Sequence, residues 1–183
     1  LDENGNEQFY KKFSYFPVFH HSQVDNYEYT PEQINNDFVP IEAAQKIIDA
    51  TGAIISHGAS GASFNNKSDS IASPFQSDFE SAELYYGTMF HELVHWTGAE
   101  HRLNRPNVAT YFDDIKNRAR EELTAELGAA FLSTYVGIET TPAPNHAQYL
   151  NAWIEALEND NNEIFAAAND AQAAVNYILE LGE

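Results

Sequence analysis

Apolar residues along this chain keep two different rhythms. In the first part they come in short alternating runs. Phe13, Tyr15, Phe16, Val18 and Phe19 read as a strand within 13–24, with Pro17 marking an edge or a strand start. Residues 26–37 are polar and read as a loop with a short turn after Pro31. Ala53–Ser56 reads as a short buried strand. Ala62–Phe64 and Asp69–Ala72 read as two strands joined through Asn65-Asn66-Lys67-Ser68, whose side chains favour a turn. One helix interrupts this region. Pro40 opens it, Ile41, Ala44, Ile47 and Ile48 mark its apolar side, and Gly52 ends it.

In the second part the apolar spacing becomes helical. A helix starting at Asp78 or Ser81 runs to Gly98, a glycine at the C-cap. Residues 99–116 form a long connection. Arg118–Val136 carries Leu123, Leu127, Ala130, Phe131 and Tyr135 along one side and stops at Gly137. After a loop at 140–144, residues 145–157 (Tyr149, Leu150, Trp153, Ile154, Leu157) and 164–181 (Phe165, Ala168, Ala171, Val175, Ile178, Leu179) predict two more helices. Strands first and helices afterwards predict an α+β domain: a small N-terminal β-sheet with helices, then a helical C-terminal half. The polar opening, Asp2-Glu3-Asn4-Gly5-Asn6-Glu7, and a first residue other than Met predict a linker or disordered stub over 1–12, cut from something longer. The domain is then 13–183.

Charge narrows the partners. With 28 acidic against 9 basic residues in 183, the net charge is −19. Such a domain repels phosphate backbones and anionic membrane surfaces, so direct nucleic-acid binding is not expected of it. No apolar run approaches a membrane span, and no basic-then-apolar leader is seen. The absence of cysteine removes disulfides and thiolate ligands and fits the cytoplasm.

The chemistry concentrates in Phe90-His91-Glu92-Leu93-Val94-His95-Trp96-Thr97-Gly98. Histidines four apart share one helical face and can offer both imidazoles to one ion. Glu92 can reach a water bound to that ion. Two ionisable groups in an otherwise apolar helix need a partner to offset their burial, and a metal, zinc by default, supplies one. A catalytic zinc takes a third protein ligand, and two residues compete for the position. His101 completes His-Glu-x-x-His-x-x-Gly-x-x-His, the metzincin pattern, but the one methionine, Met89, precedes the motif instead of following it in a methionine turn. Glu122, in Arg120-Glu121-Glu122-Leu123-Thr124-Ala125-Glu126, resembles the ligand that gluzincins supply from a second helix. Glu122 and Glu126 share a face with Ala129 and Ala130, whose small size permits close helix approach, and Glu126 can hold a ligand histidine. On this reading Glu121 points away. Glu122 is the preferred third ligand.

With both helices in view, the chain resembles the zincin-like metallopeptidase domain of ArdC-type antirestriction proteins and related polyvalent proteins of plasmids and phages. The resemblance runs through Tyr15-Phe16-Pro17-Val18-Phe19, Gly52-Ala53-Ile54-Ile55-Ser56-His57-Gly58, the motif helix, Arg102-Leu103-Asn104-Arg105, the helix around Glu122, Trp153 and Ile164-Phe165-Ala166-Ala167-Ala168. It implies a zincin-like fold. It also implies His91, His95 and Glu122 as metal ligands, Glu92 as general base, and a protein or peptide substrate. Full-length members of the family also carry an N-terminal domain that binds single-stranded DNA, which this chain lacks. His57, Tyr111 and Arg102 are lesser candidates for roles around the ion. The competing expectation is a catalytically idle, zinc-stabilised module that interferes with other proteins through its acidic surface.

Overall fold

A computed structural model describes residues 38–113, 115–139 and 162–182, all within one compact unit, Ile34–Glu183. The predicted linker, the strand at 13–24, the loop at 26–37 and the helix at 145–157 lie outside the described residues. The order is α1 (Glu42–Thr51), β1 (Ile54–His57), β2 (Ser63–Asn65), β3 (Ser70–Ser73), a 3₁₀ turn (Gln76–Asp78), α2 (Ala82–Thr97), α3 (Pro106–Ala109), α4 (Ile115–Tyr135) and α5 (Asn162–Glu180). The α+β character holds. Among the described residues no helix is long and apolar enough to cross a membrane.

The sheet is small and mixed, in the order β1-β3-β2. β2 and β3 form the predicted antiparallel hairpin, with Phe64 opposite Ile71. Its turn is held by Asn65, whose Oδ1 accepts from the amides of Lys67 (2.9 Å) and Ser68 (3.1 Å). β1 returns parallel to β3, with Ile55 opposite Ile71. β1 is not the buried strand expected from its apolar sequence: among the described residues it has a neighbour strand only in β3, and Ile54 is 66% exposed.

Helix α2 is the centre of the core. Ser81 caps it by accepting from the Leu84 amide at 3.2 Å, and α4, α5, α1 and the sheet all pack against it. Tyr85, Tyr86, Met89, Phe90, Leu93 and Val94 are fully or almost fully buried. Each such side chain contributes on the order of 2 kcal/mol from removing apolar area from water. Gly98 follows α2, but not in the left-handed conformation usual for a capping glycine; its φ is −79°. What it supplies is space, because a Cβ there would meet Val108 Cγ2 at 2.4 Å and Arg105 Nη2 at 2.8 Å.

The predicted connection 99–116 contains α3, with Pro106 at its first turn, and the start of α4. The apolar side expected for α4 is not its most buried one. Leu123, Leu127 and Phe131 are half-buried and Tyr135 is exposed, whereas Glu121, Glu122, Ala125, Gly128, Ala129 and Leu132 are buried. α4 lies between α2 and α5, and its closest contact is made by small residues. A Cβ at Gly128 would lie 2.5 Å from Val94 Cγ2. That close approach brings three glutamates of α4, Glu121, Glu122 and Glu126, against two histidines of α2. On α5 the buried line is Ala167, Ala171, Ala174, Val175 and Ile178, and Phe165 faces solvent.

Candidate metal centre

His91 and His95 stand one turn apart on α2, and their Nε2 atoms are 3.1 Å apart. Glu122, from α4, places Oε2 3.5 Å from His91 Nε2 and Oε1 3.7 Å from His95 Nε2. Among the described residues these three side chains form a group whose ligand atoms all lie within 4.8 Å of one another. All three are buried or nearly so.

The far sides of both imidazoles meet carboxylates. His95 Nδ1 is 3.1 Å from Glu121 Oε1, and His91 Nδ1 is 3.1 Å from Glu126 Oε1. A carboxylate only accepts, so His95 carries its proton on Nδ1, toward Glu121, and turns an Nε2 lone pair inward; His91 lies close to Glu126 without hydrogen-bond alignment, and its Nε2 faces inward as well. Two inward Nε2 atoms and a carboxylate then converge with nothing but a cation able to reconcile them. The separations suit an ion. Ligand atoms about 2.0–2.1 Å from a tetrahedral zinc sit roughly 3.3–3.4 Å from one another, close to the edges of this triangle. The donor set therefore fits a divalent metal.

Without a metal, a proton takes that part. Burial by itself would push His91 down, but the carboxylates of Glu122 and Glu126, with the charge of Glu92 added, push it up to about 10. Glu122 goes the other way. Burial raises it, and the outweighing contacts with His91, His95 and Tyr111 leave it below the ordinary carboxylate value. Glu121 is 0% exposed, and burial likewise raises it, but the donors on His95 and Arg105 hold it low.

Glu92, next to His91 on the same helix, is buried. The hydroxyl of Tyr111 donates to Glu122, and its ring meets the edge of His95 at 6.1 Å, so this lesser candidate does sit at the cluster. His57 does not join it; its Nε2 lies 3.1 Å from the Tyr85 hydroxyl at the end of β1. Arg102 stacks on Trp96, its guanidinium carbon 3.8 Å from the ring centroid, and binds Asp69 with both terminal nitrogens. His101 pairs with the same Asp69, at 3.2 Å, in an exposed turn apart from the His91–His95–Glu122 group.

Glu121 corrects the expectation drawn from helical spacing. It was expected to point away and is instead the partner of His95. The interaction missed outright is Arg105, which binds both oxygens of Glu121, Nη2 to Oε1 at 2.6 Å and Nε to Oε2 at 3.1 Å. The signal available in the sequence was a pair of adjacent glutamates on a helix with small residues on either face, next to a turn rich in arginine.

Comparison with known proteins gives a consistent result. The model of a zincin-like metallopeptidase family matches residues 42–170. The chain is 37% identical over 163 residues to a DNA primase TraC of Escherichia coli, covering 88% of this chain and 11% of that protein. It is 32% identical over 169 residues to the uncharacterised protein y4eC of Sinorhizobium fredii, covering 89% of this chain and 52% of that one. Among solved structures, the Mn(II)-bound antirestriction protein ArdC of plasmid R388 superposes with a TM-score of 0.70 at 34% identity, covering 80% of this chain and 56% of ArdC. The metal-free ArdC structure gives 0.69 at 33% identity, covering 90% and 59%. The chain thus spans between about a tenth and three fifths of the length of these relatives.

Proposed function

This chain belongs to the zincin-like metallopeptidase family, and from that premise we propose that it is a metal-dependent peptidase domain of an ArdC-like antirestriction protein. His91, His95 and Glu122 hold the ion and Glu92 is the general base. The observation that carries this reading is the convergence of two inward Nε2 atoms and one carboxylate, each imidazole backed by its own acid. The ion is zinc by default for a His₂Glu donor set. Manganese suits the same donors less well, and the ArdC relative was solved with Mn(II).

A bound divalent ion supplies Lewis acidity, acidifying water and polarising a carbonyl. The chain's own residues do the rest. Glu92 accepts the proton released as water attacks a peptide carbonyl and returns it to the leaving amine. Tyr111, whose one hydroxyl proton goes to Glu122, steadies that carboxylate. An extended peptide pairs with the sheet at β2, since β3 is central and has both edges occupied. The substrate is a protein or peptide. The net charge of −19 speaks against nucleic acid or an anionic membrane as direct partners of this domain, and the cytoplasm is its place of action. Single-stranded DNA binding would belong to an additional domain of the parent protein, and the domain itself begins near residue 13, after a linker.

The rival reading makes the metal a staple for an acidic interaction module. Against it, the metal-bound and metal-free forms of ArdC superpose on this chain almost equally well, so in that relative the fold does not depend on the ion. The test pairs metal analysis of the purified chain with hydrolysis of a peptide library. We expect one equivalent of metal in wild type and in Glu92→Gln, and a fall in turnover of at least a hundredfold in Glu92→Gln alone. Equal turnover in both would remove Glu92 from its role. Antirestriction surviving intact in Glu92→Gln would favour the staple.

A further inference from the structure

We propose that Arg105 is a positioning residue for the metal: acting through Glu121, it fixes the ring of His95, so that the turn after the motif helix sets how tightly the ion is held. This rests on the metal-site reading above and not on peptidase activity.

The turn folds back under α2. Leu103 N–H donates to Thr97 O at 2.9 Å, Arg105 N–H donates to Gly98 O at 3.0 Å, and Asn104 adopts a left-handed φ of 49° that few residues other than glycine accept. The Arg105 side chain passes close over Gly98, where a Cβ would meet its guanidinium. Its donors are met by buried acceptors: both oxygens of Glu121, Val94 O at 2.6 Å and Thr97 Oγ1 at 2.7 Å. Arg105 is 6% exposed, so water cannot replace these bonds.

Glu121 Oε1 is the junction. It accepts from Arg105 Nη2 at 2.6 Å and faces His95 Nδ1 at 3.1 Å. A guanidinium fork bound to both oxygens stops the carboxylate from rotating. The direction of the His95 Nδ1–H is then fixed, and with it the aim of Nε2 at the ion. Acids behind metal-binding histidines govern ring orientation and affinity in this way. Here the orienting acid is itself oriented, by a residue from a different part of the chain.

The experiment is titration of the metal-stripped full chain with Zn²⁺ against a chelator, together with the visible absorption spectrum of the Co²⁺ form. Wild type should bind one ion. Arg105→Lys, Arg105→Met and Glu121→Gln should each weaken binding about 10- to 100-fold and alter the Co²⁺ bands. Asp69→Asn, which alters the Arg102–Asp69–His101 group of the same region and touches none of the candidate ligands, should stay within about twofold. Unchanged affinity and Co²⁺ bands in Arg105→Lys, with only the thermal midpoint lowered, would show a purely structural residue and overturn the proposal. Should the Arg105 and Glu121 variants fail to fold, ¹⁵N NMR of the histidine and arginine side chains in Zn²⁺-loaded wild type decides. A slowly exchanging His95 Nδ1 proton together with slowly exchanging Arg105 guanidinium protons supports the proposal, and rapid exchange of the Arg105 guanidinium protons overturns it. A wild type that binds no ion would bring down the metal-site reading itself, whereas a wild type that binds and variants that bind equally would remove this inference alone.

Discussion

His95 and His101 belong to one continuous string of sequence, and each ends an arginine–carboxylate–histidine group: Arg105–Glu121–His95 and Arg102–Asp69–His101. The imidazole–carboxylate distances are nearly the same, 3.1 and 3.2 Å. The surroundings are not. The His95 side chain is 10% exposed and its acid 0%, whereas the His101 side chain is 61% exposed and its acid 38%; only Arg102, at 5%, is as covered as its counterpart. In the buried group each bond must be made, because a missing partner leaves an unsatisfied polar atom in low dielectric. In the second group water and salt stand ready as substitutes at His101 and, in part, at Asp69, while the Arg102 guanidinium is itself covered. The same residue types therefore build a buried support behind a candidate metal ligand in one place and a latch between the hairpin and the α2 turn in the other.

The strongest way to break this comparison is to remove one candidate ligand from each side. Glu122→Ala should lower metal affinity by more than the roughly hundredfold that outer partners command, while His101→Ala should leave it within about twofold. Zinc content and chelator competition measure both, and the reverse ranking would mean that the exposed histidine is the ligand.

The spacing of α2 and α4 can be attacked without touching any ligand. Gly128→Ala puts a methyl group against Val94 and should cost about 1–3 kcal/mol of stability by overpacking, read as a lower midpoint in urea. Metal affinity should fall with it, because α4 carries Glu122. A matched Gly61→Ala, where a Cβ meets nothing within 4 Å, should show neither effect.

Acidity sharpens the contrast further. The proton that His91 holds until about pH 10 must leave when the ion binds, so affinity should rise about tenfold per pH unit between roughly 7 and 9. For the metal-free chain the sign is opposite. A histidine lifted from 6.5 to about 10 contributes stability that is fully present below about pH 6.5 and is lost as pH rises through about 10. Urea midpoints at pH 6, 8 and 10 with and without Zn²⁺ check both. Glu121, held below its ordinary value, contributes stability that is present above about pH 4.5 and is lost as pH falls through its lowered value.

The smallest effect belongs to the second group. Asp69→Asn, which keeps one side-chain oxygen for the covered Arg102 and loosens the exposed His101, should cost about 1 kcal/mol, with the His101 part shrinking at high salt. A larger, salt-independent loss would show that this latch behaves like the buried group.

What the sequence by itself determined was local. The motif helix, its Ser81 cap, the hairpin with its asparagine turn, the helix ended by Gly52 and the α+β order all follow from periodicity and turn chemistry acting over a few residues. The pairing of His91 with His95 is of the same kind, since four residues along a helix fix it. Only the tertiary structure decided which side of α4 faces the histidines. Helical spacing shows that Glu122 and Glu126 share a face and that Glu121 is turned from them, but it cannot show what lies beyond. α4 has α2 on one side and α5 on another, so inward and outward lose their usual contrast of apolar and polar. Its tightest contact is made by Gly128 and alanines, whose small size, not their hydrophobicity, lets Glu121 reach His95 and Arg105 reach Glu121 from 16 residues away.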